Sequence, residues 1–336
     1  MGKEAIKSFD FVRAVLTLII VFFHFCCHLD AKNVLPFYGF LNGSWGGTAV
    51  TAFFVLSGAL LYYRYGNSNS NWKLYLYKRW KTIFPMYYSA YLFLEGINIA
   101  INKSIFFRGN PIPYLYTVLG MDHYLSQVTT TYPIIGEWFL GAILILYIMF
   151  PLILWCFSKN SNVTFIVALS LYIIFFNKPI INPIPYCSIT SCLISFVCGM
   201  VIMKNRNVLL NKYTTIGSII LMLILCLVKI PISVDIVDHL MGVFLFCVLV
   251  FVGEYIMKKN IFNKIFKELS NASYAIFLLH SLILRKIKVF YTPSNLTNLI
   301  ALLIVITIFI FIASKVFTIV INNIIKKLED KFIKLE

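Results

Sequence analysis

The stretch that decides the fold is RAVLTLIIVFFHF, Arg13 to Phe25, an apolar run that opens on a guanidinium and carries an imidazole, His24, in its middle. An ionisable side chain near a bilayer centre costs roughly 2.5–3.5 kcal/mol on insertion scales, so such residues almost always face a protein interior or cavity. From Arg13 to His24 is eleven steps, which at 100° each make three turns plus about 20°. The two side chains therefore share a face, about 16 Å apart along the axis. In a hydrocarbon core about 30 Å thick, one stands at the mouth and the other near the midplane. Asp10, Thr17 and His28 fall close to the same stripe, so a polar line runs along the helix. Singly, these residues have ordinary readings. Arg13 serves as a snorkelling anchor, His24 as a hydrogen-bonded packing residue, and His28 as a structural group near the outer end.

Composition agrees with a membrane setting. The chain has 336 residues, 60% hydrophobic and 12% charged, whereas a soluble domain is about 25% charged; its mean hydropathy is +0.86. The net charge of +16 does not indicate a nucleic-acid partner, because the basic residues lie between apolar runs and not on one soluble face. The eight cysteines form no C-x-x-C pair, so neither a disulfide framework nor a metal site is expected. No small-residue cleavage site follows the first run, which reads as a retained span.

A span takes about 20 apolar residues. Runs near 14–30, 46–63, 83–101, 137–157, 163–177, 186–203, 213–231, 236–256, 270–285 and 297–321 predict an all-α polytopic protein of about ten transmembrane helices, in one domain over residues 1–336. With the N-terminus inside, 21 of the 29 Lys and Arg residues fall in cytoplasmic segments, which selects an N-in, C-in topology. One loop dissents. Arg285, Lys286 and Lys288 cluster on the expected outer side, so either the ninth helix is displaced or these residues serve an external anionic ligand.

Five stretches then come in order: DFVRAVLTLIIVFFHF (Asp10 to Phe25), FFVLSGALL (Phe53 to Leu61), YKRWKTIFPMYY (Tyr77 to Tyr88), WFLGAILILYIMFPL (Trp138 to Leu152) and SYAIFLLH (Ser273 to His280). Together they resemble the membrane acyltransferase 3 family, whose hallmark is an Arg and a His separated by ten residues. The resemblance implies about ten helices in the cell membrane and the transfer of an acyl group, usually acetyl, from cytoplasmic acyl-CoA. The acceptor would be a hydroxyl of an envelope glycan or a lipid-linked sugar. It also implies roles: Arg13 near the donor's phosphates, His24 at the point of acyl transfer as general base or transient acyl relay, and His280 orienting His24 or the acceptor. Of two Arg three residues apart in many members, Arg79 matches the first and Thr82 stands at the second, with Lys78 and Lys81 flanking. The implied cofactor set is Arg13, Lys78, Arg79 and Lys81, with no metal. Thr51 stands where an Asp is common and Ile143 where a Glu is common, departures that bear on acceptor recognition.

The chemistry fits those residue types. Acyl transfer from a thioester to a hydroxyl needs a base, a stabiliser for the developing oxyanion and charge to hold the donor. A neutral imidazole is available at pH 7. Arg offers phosphate a two-pronged fork where Lys offers a point charge. Tyr147 and Ser57 read as structural, Ser57-Gly58 permitting close helix approach. Glu137, Asp122, His123, Asp235, Asp238 and His239 fall at outer ends, and Trp45, Tyr132 and Trp138 read as interfacial belt. Glu95, inside the third span, requires a partner. The rival function is a transporter or flippase for a lipid-linked sugar or small anion, using the same Arg, His and Glu as a path; no paired repeats or matching broken helices speak for it.

Overall fold

With no water in the hydrocarbon region to satisfy the backbone, apolar runs of this length form helices that bond internally. The computed structural model describes residues 6–29, 43–67, 71–104, 108–228, 231–290 and 295–333, and these are helical with no strand among them. The elements are α1 (Lys7–His28), α2 (Trp45–Tyr65), α3 (Trp72–Asn102), the short α4 (Tyr114–Val118) and α5 (Asp122–Leu125), α6 (Phe139–Lys159), α7 (Ser161–Ile174), α8 (Ile189–Lys204), the short α9 (Arg206–Leu209), α10 (Lys212–Leu227), α11 (Val234–Ile256), α12 (Asn260–Phe290) and α13 (Leu296–Ile333). Each apolar run falls largely on one of these helices, and none falls on the short α4, α5 or α9. Five are long and apolar enough to cross a membrane by length and composition: α1, α2, α6, α11 and the Leu296–Lys327 portion of α13. The apolar helices α7, α8 and α10 are shorter. The ninth run, 270–285, sits on a longer helix of 31 residues beginning at Asn260. Its first turns, NIFNKIFKEL, are too polar for a hydropathy scan to include.

Two glycines let α2 and α8 cross at backbone contact. A Cβ at Gly58 would come within 1.9 Å of the Phe196 carbonyl oxygen, and one at Gly199 equally close to that of Val55. Only glycine fits there, and close backbone approach replaces the hydrophobic drive that lipid does not supply. Against α2 packs α1, which also meets α11 and α12.

The helix directions follow from the contacts. Ser270 meets Arg13, His280 meets His24 and Ser281 meets His28, so α12 runs parallel to α1. Its neighbour α11 runs the opposite way, with Gly253 against Ser8 and Phe11 near the start of α1. Arg285, Lys286 and Lys288, beyond His280 on α12, therefore emerge at the His28 end of the bundle, opposite Arg13. The ninth helix is not displaced to the other end.

Candidate functional site

No Gly or Pro interrupts residues 7–28, so α1 carries its polar line unbroken. Arg13, Thr17 and His24 of that line face a cavity of about 440 Å³ walled by α1, α2, α3, α6 and α12, a size within the range of small-molecule sites. Arg13, Thr17 and His24 line it from α1, Arg79 and Thr82 from α3, Tyr147 from α6, and Ser270, Tyr274 and His280 from α12. Its walls between the two polar ends are apolar, with Phe53, Leu56, Ile83 and Ile143 among them.

At one end stand two guanidiniums. Arg13 donates from Nη1 to Ser270 Oγ at 3.1 Å, Ser270 donates to Asp10 Oδ1 at 2.8 Å, and Arg13 Nη1 lies 3.7 Å from that carboxylate. Asp10 thus aims Arg13 through a shared serine. Arg79 is held between two phenol rings, its guanidinium carbon 5.7 Å from the centre of Tyr75 and 5.6 Å from that of Tyr147. Its Nε is buried without a hydrogen-bond partner. Arg79 itself lines the cavity, and a guanidinium there is a ready anion ligand. Lys78 and Lys81 are not among the cavity-lining residues. Residues 79, 82 and 83 share the face of α3 that the cavity meets, and Lys78 is exposed.

At the other end His24, His280 and Glu137 converge, with one ligand atom from each all within 4.8 Å of one another. The two rings meet edge to face, 4.9 Å between centroids. His280 is fully buried, and its Nδ1 lies 2.9 Å from the carbonyl oxygens of both Ile276 and Phe277. Carbonyls only accept, so Nδ1 carries the proton and Nε2 is left as a lone pair. That Nε2 has no partner. His28 stacks on His24 at 5.8 Å and bonds Ser281 Oγ at 3.1 Å, but does not line the cavity.

Hydropathy puts Glu137 at an outer end; the structure brings it into the site. The turn before α6 passes through Gly136, whose positive φ of 73° suits a residue without a Cβ. The Gly136 N–H donates to Leu278 O on α12 at 3.3 Å, laying this segment across the helix that carries His280. The sequence signal is modest: a Gly-Glu pair directly before the WFLG motif. Ser270, which no motif marks, arrives on the α12 face that meets α1, and Tyr274, inside SYAIFLLH, donates to Ile83 O on α3 at 3.1 Å. Trp138, read as belt, lines the cavity, as do Ser57 and Ile143.

Two imidazoles and a carboxylate are also the donor set of a catalytic zinc with an open position, though its bonds of ~2.0–2.2 Å put neighbouring ligand atoms about 3.3 Å apart. The cluster is equally suited to moving a proton between neutral imidazoles beside a carboxylate.

Other polar groups settle elsewhere. Glu95 finds its partners in Arg108, with bonds of 3.0 and 3.1 Å, in Asn98 and in Tyr114. That contact raises the Arg108 guanidinium further, and burial with the bond to Glu95 pushes Tyr114 up to about 12. Asp122 is buried against Thr117 and Tyr87, and burial raises its carboxyl above the usual range. Thr51, at the family's Asp position, is fully buried and sits with Ser195 around His239 Nδ1, at 3.4 and 2.9 Å; beside them Thr48 donates to Asp238 at 3.0 Å. This second network joins α2, α8 and α11 apart from the cavity.

Among known proteins, a family model described as an acyltransferase domain matches residues 6–320. No curated protein and no solved structure matches the chain.

Proposed function

The chain belongs to the acyltransferase 3 family, and from that premise we propose a membrane O-acyltransferase that takes its acyl group, acetyl above all, from cytoplasmic acyl-CoA and gives it to a hydroxyl of a glycan or lipid-linked sugar beyond the membrane. The observation that carries this reading is one cavity with two unlike ends: Arg13 and Arg79 at one, His24, His280 and Glu137 at the other. The spacing along α1 separates charge recognition from chemistry by about half a hydrocarbon core.

In this reading the protein lies N-in and C-in across the cell membrane in about ten spans, with the arginine end facing the cytoplasm. The donor's phosphates rest on Arg13 and Arg79, with Lys78 and Lys81 adding charge around the mouth. The apolar walls hold the pantetheine arm, and the thioester carbonyl arrives at His24. Neutral His24 removes the acceptor hydroxyl proton as the oxygen attacks that carbonyl. Glu137 stabilises the imidazolium that forms, and the Nε2 lone pair of His280 orients the ring. Collapse of the tetrahedral intermediate expels the CoA thiolate, which takes the proton from His24. The balance is complete without a metal.

The test supplies radiolabelled acetyl-CoA to one face of sealed vesicles. Labelled glycan made only when the donor is on the cytoplasmic side supports the reading. Label that crosses the membrane without becoming covalently attached would favour a transporter.

A further inference from the structure

At the His28 end, α12 carries Ser281, Arg285 and Lys288 on one face, at i, i+4 and i+7. Ser281 is the residue that bonds His28, so this face starts beside the cavity's chemical end and climbs outward. Arg285 is exposed, yet its guanidinium does not reach away from the site. It turns back over the segment that delivers Glu137, donating from Nη2 to Ile134 O and from Nε to Ser281 O, both at 3.3 Å. Two of five N–H donors are engaged. Among the described residues no ion pair involves Arg285, Lys286 or Lys288. In the topology proposed above, these three are among only eight Lys and Arg residues outside the cytoplasmic segments. Neutral sugar hydroxyls give no reason to gather at this mouth three cations that no described carboxylate pairs.

We infer that the face of α12 bearing Arg285 and Lys288 is an anion subsite for the acceptor, so that the hydroxyl to be acylated belongs to an acidic molecule, a sugar carboxylate or a phosphorylated or phosphate-linked sugar. The inference rests on the acyl-transfer reading. Arg285 grips the oxyanion with its remaining donors, Lys288 adds charge one turn further out, and the acceptor hydroxyl reaches past His28 to His24.

The experiment uses the full-length protein in sealed vesicles with cytoplasmic radiolabelled acetyl-CoA, and separates labelled glycans by anion exchange, before and after phosphodiesterase and phosphatase treatment to distinguish phosphate from carboxylate. Label in the retained, acidic fraction is expected. Arg285→Gln with Lys288→Gln should raise the acceptor concentration needed for half-maximal rate about tenfold, the change expected from losing ~1.4 kcal/mol of charge-assisted binding. Acetyl-CoA hydrolysis without acceptor should stay unchanged, and Arg285→Lys should recover part of the loss. Label confined to neutral glycans, or a double variant with wild-type acceptor dependence, overturns the subsite. So does a double variant that loses hydrolysis and transfer together, which would make Arg285 a clamp for the Glu137 segment. No label and no hydrolysis in the wild type would instead bring down the acyl-transfer reading itself.

Discussion

The rings of His24 and His280 meet edge to face at 4.9 Å on two parallel helices, and the second ring is pinned through Nδ1 by two backbone carbonyls, which leaves its Nε2 bare. This division of labour predicts unequal losses. His24→Ala should leave the fold and donor binding in place and abolish transfer. Glu137→Gln and His280→Ala should each lower kcat by roughly 10²–10⁴-fold, the usual worth of general acid–base catalysis, with KM for acyl-CoA little changed. His28→Ala, outside the cavity, should keep measurable turnover. Purified protein stripped with a strong chelator should work at the wild-type rate; loss restored by zinc would reassign the three residues as ligands.

Donor recognition should depend on the shape of the cation and not only its charge. Arg13→Lys should raise KM for acyl-CoA, because an ammonium cannot serve both Ser270 and a phosphate with a planar fork. Arg79→Lys should do likewise, since the flat guanidinium fills the gap between Tyr75 and Tyr147. Lys73→Ala, on an exposed turn of α3, should be nearly silent. Equal losses at all three positions in steady-state assays would mean general electrostatics.

Gly58→Ala and Gly199→Ala should each destabilise the protein, because the new Cβ would meet a carbonyl oxygen at 1.9 Å and the helices would have to part. Overpacking of this kind costs about 1–3 kcal/mol or more. Gly217→Ala is the control: no heavy atom lies within 4 Å of a Cβ there, and a helical Gly replaced by Ala gains roughly 0.5–1 kcal/mol. Melting temperatures in one detergent should fall for the first two and hold or rise for the third.

The orientation is checked by single cysteines on a background without the eight native ones. Arg206→Cys should react with an impermeant maleimide only after permeabilisation, and Lys286→Cys should react in intact cells. The reverse pattern would turn the bundle over, and the donor end with it.

Much of this is legible along the chain, and what is not has a common cause. The apolar runs coincide with helices because hydropathy reports what lies in lipid. It does not report where helices end: α3 starts at Trp72 and α12 at Asn260, in polar turns that continue past the apolar stretch. Helical phase likewise puts Arg13, Thr17 and His24 on a shared face. Glu137 escapes because its place depends on the left-handed turn at Gly136 and a hydrogen bond to Leu278, a contact between distant segments that no periodicity encodes. Lys78 and Lys81 join Arg79 only by sequence neighbourhood, whereas α3 turns adjacent residues onto different faces.

The rigid eleven-residue offset between Arg13 and His24 has a consequence for which donors the enzyme accepts. A helix is a measuring rod with fixed graduations of about 1.5 Å, and on the acyl-CoA reading proposed above it sets the length of arm that joins an anchored phosphate to a reacting carbonyl. A thioester on a truncated arm, such as that of N-acetylcysteamine, would have the right functional group but neither the reach nor the phosphates. Splicing an extra helical turn between Thr17 and Leu18 would carry His24 about 5.4 Å further from Arg13 while leaving both side chains in place, and on the acyl-CoA reading transfer should fall although the donor's phosphates still bind.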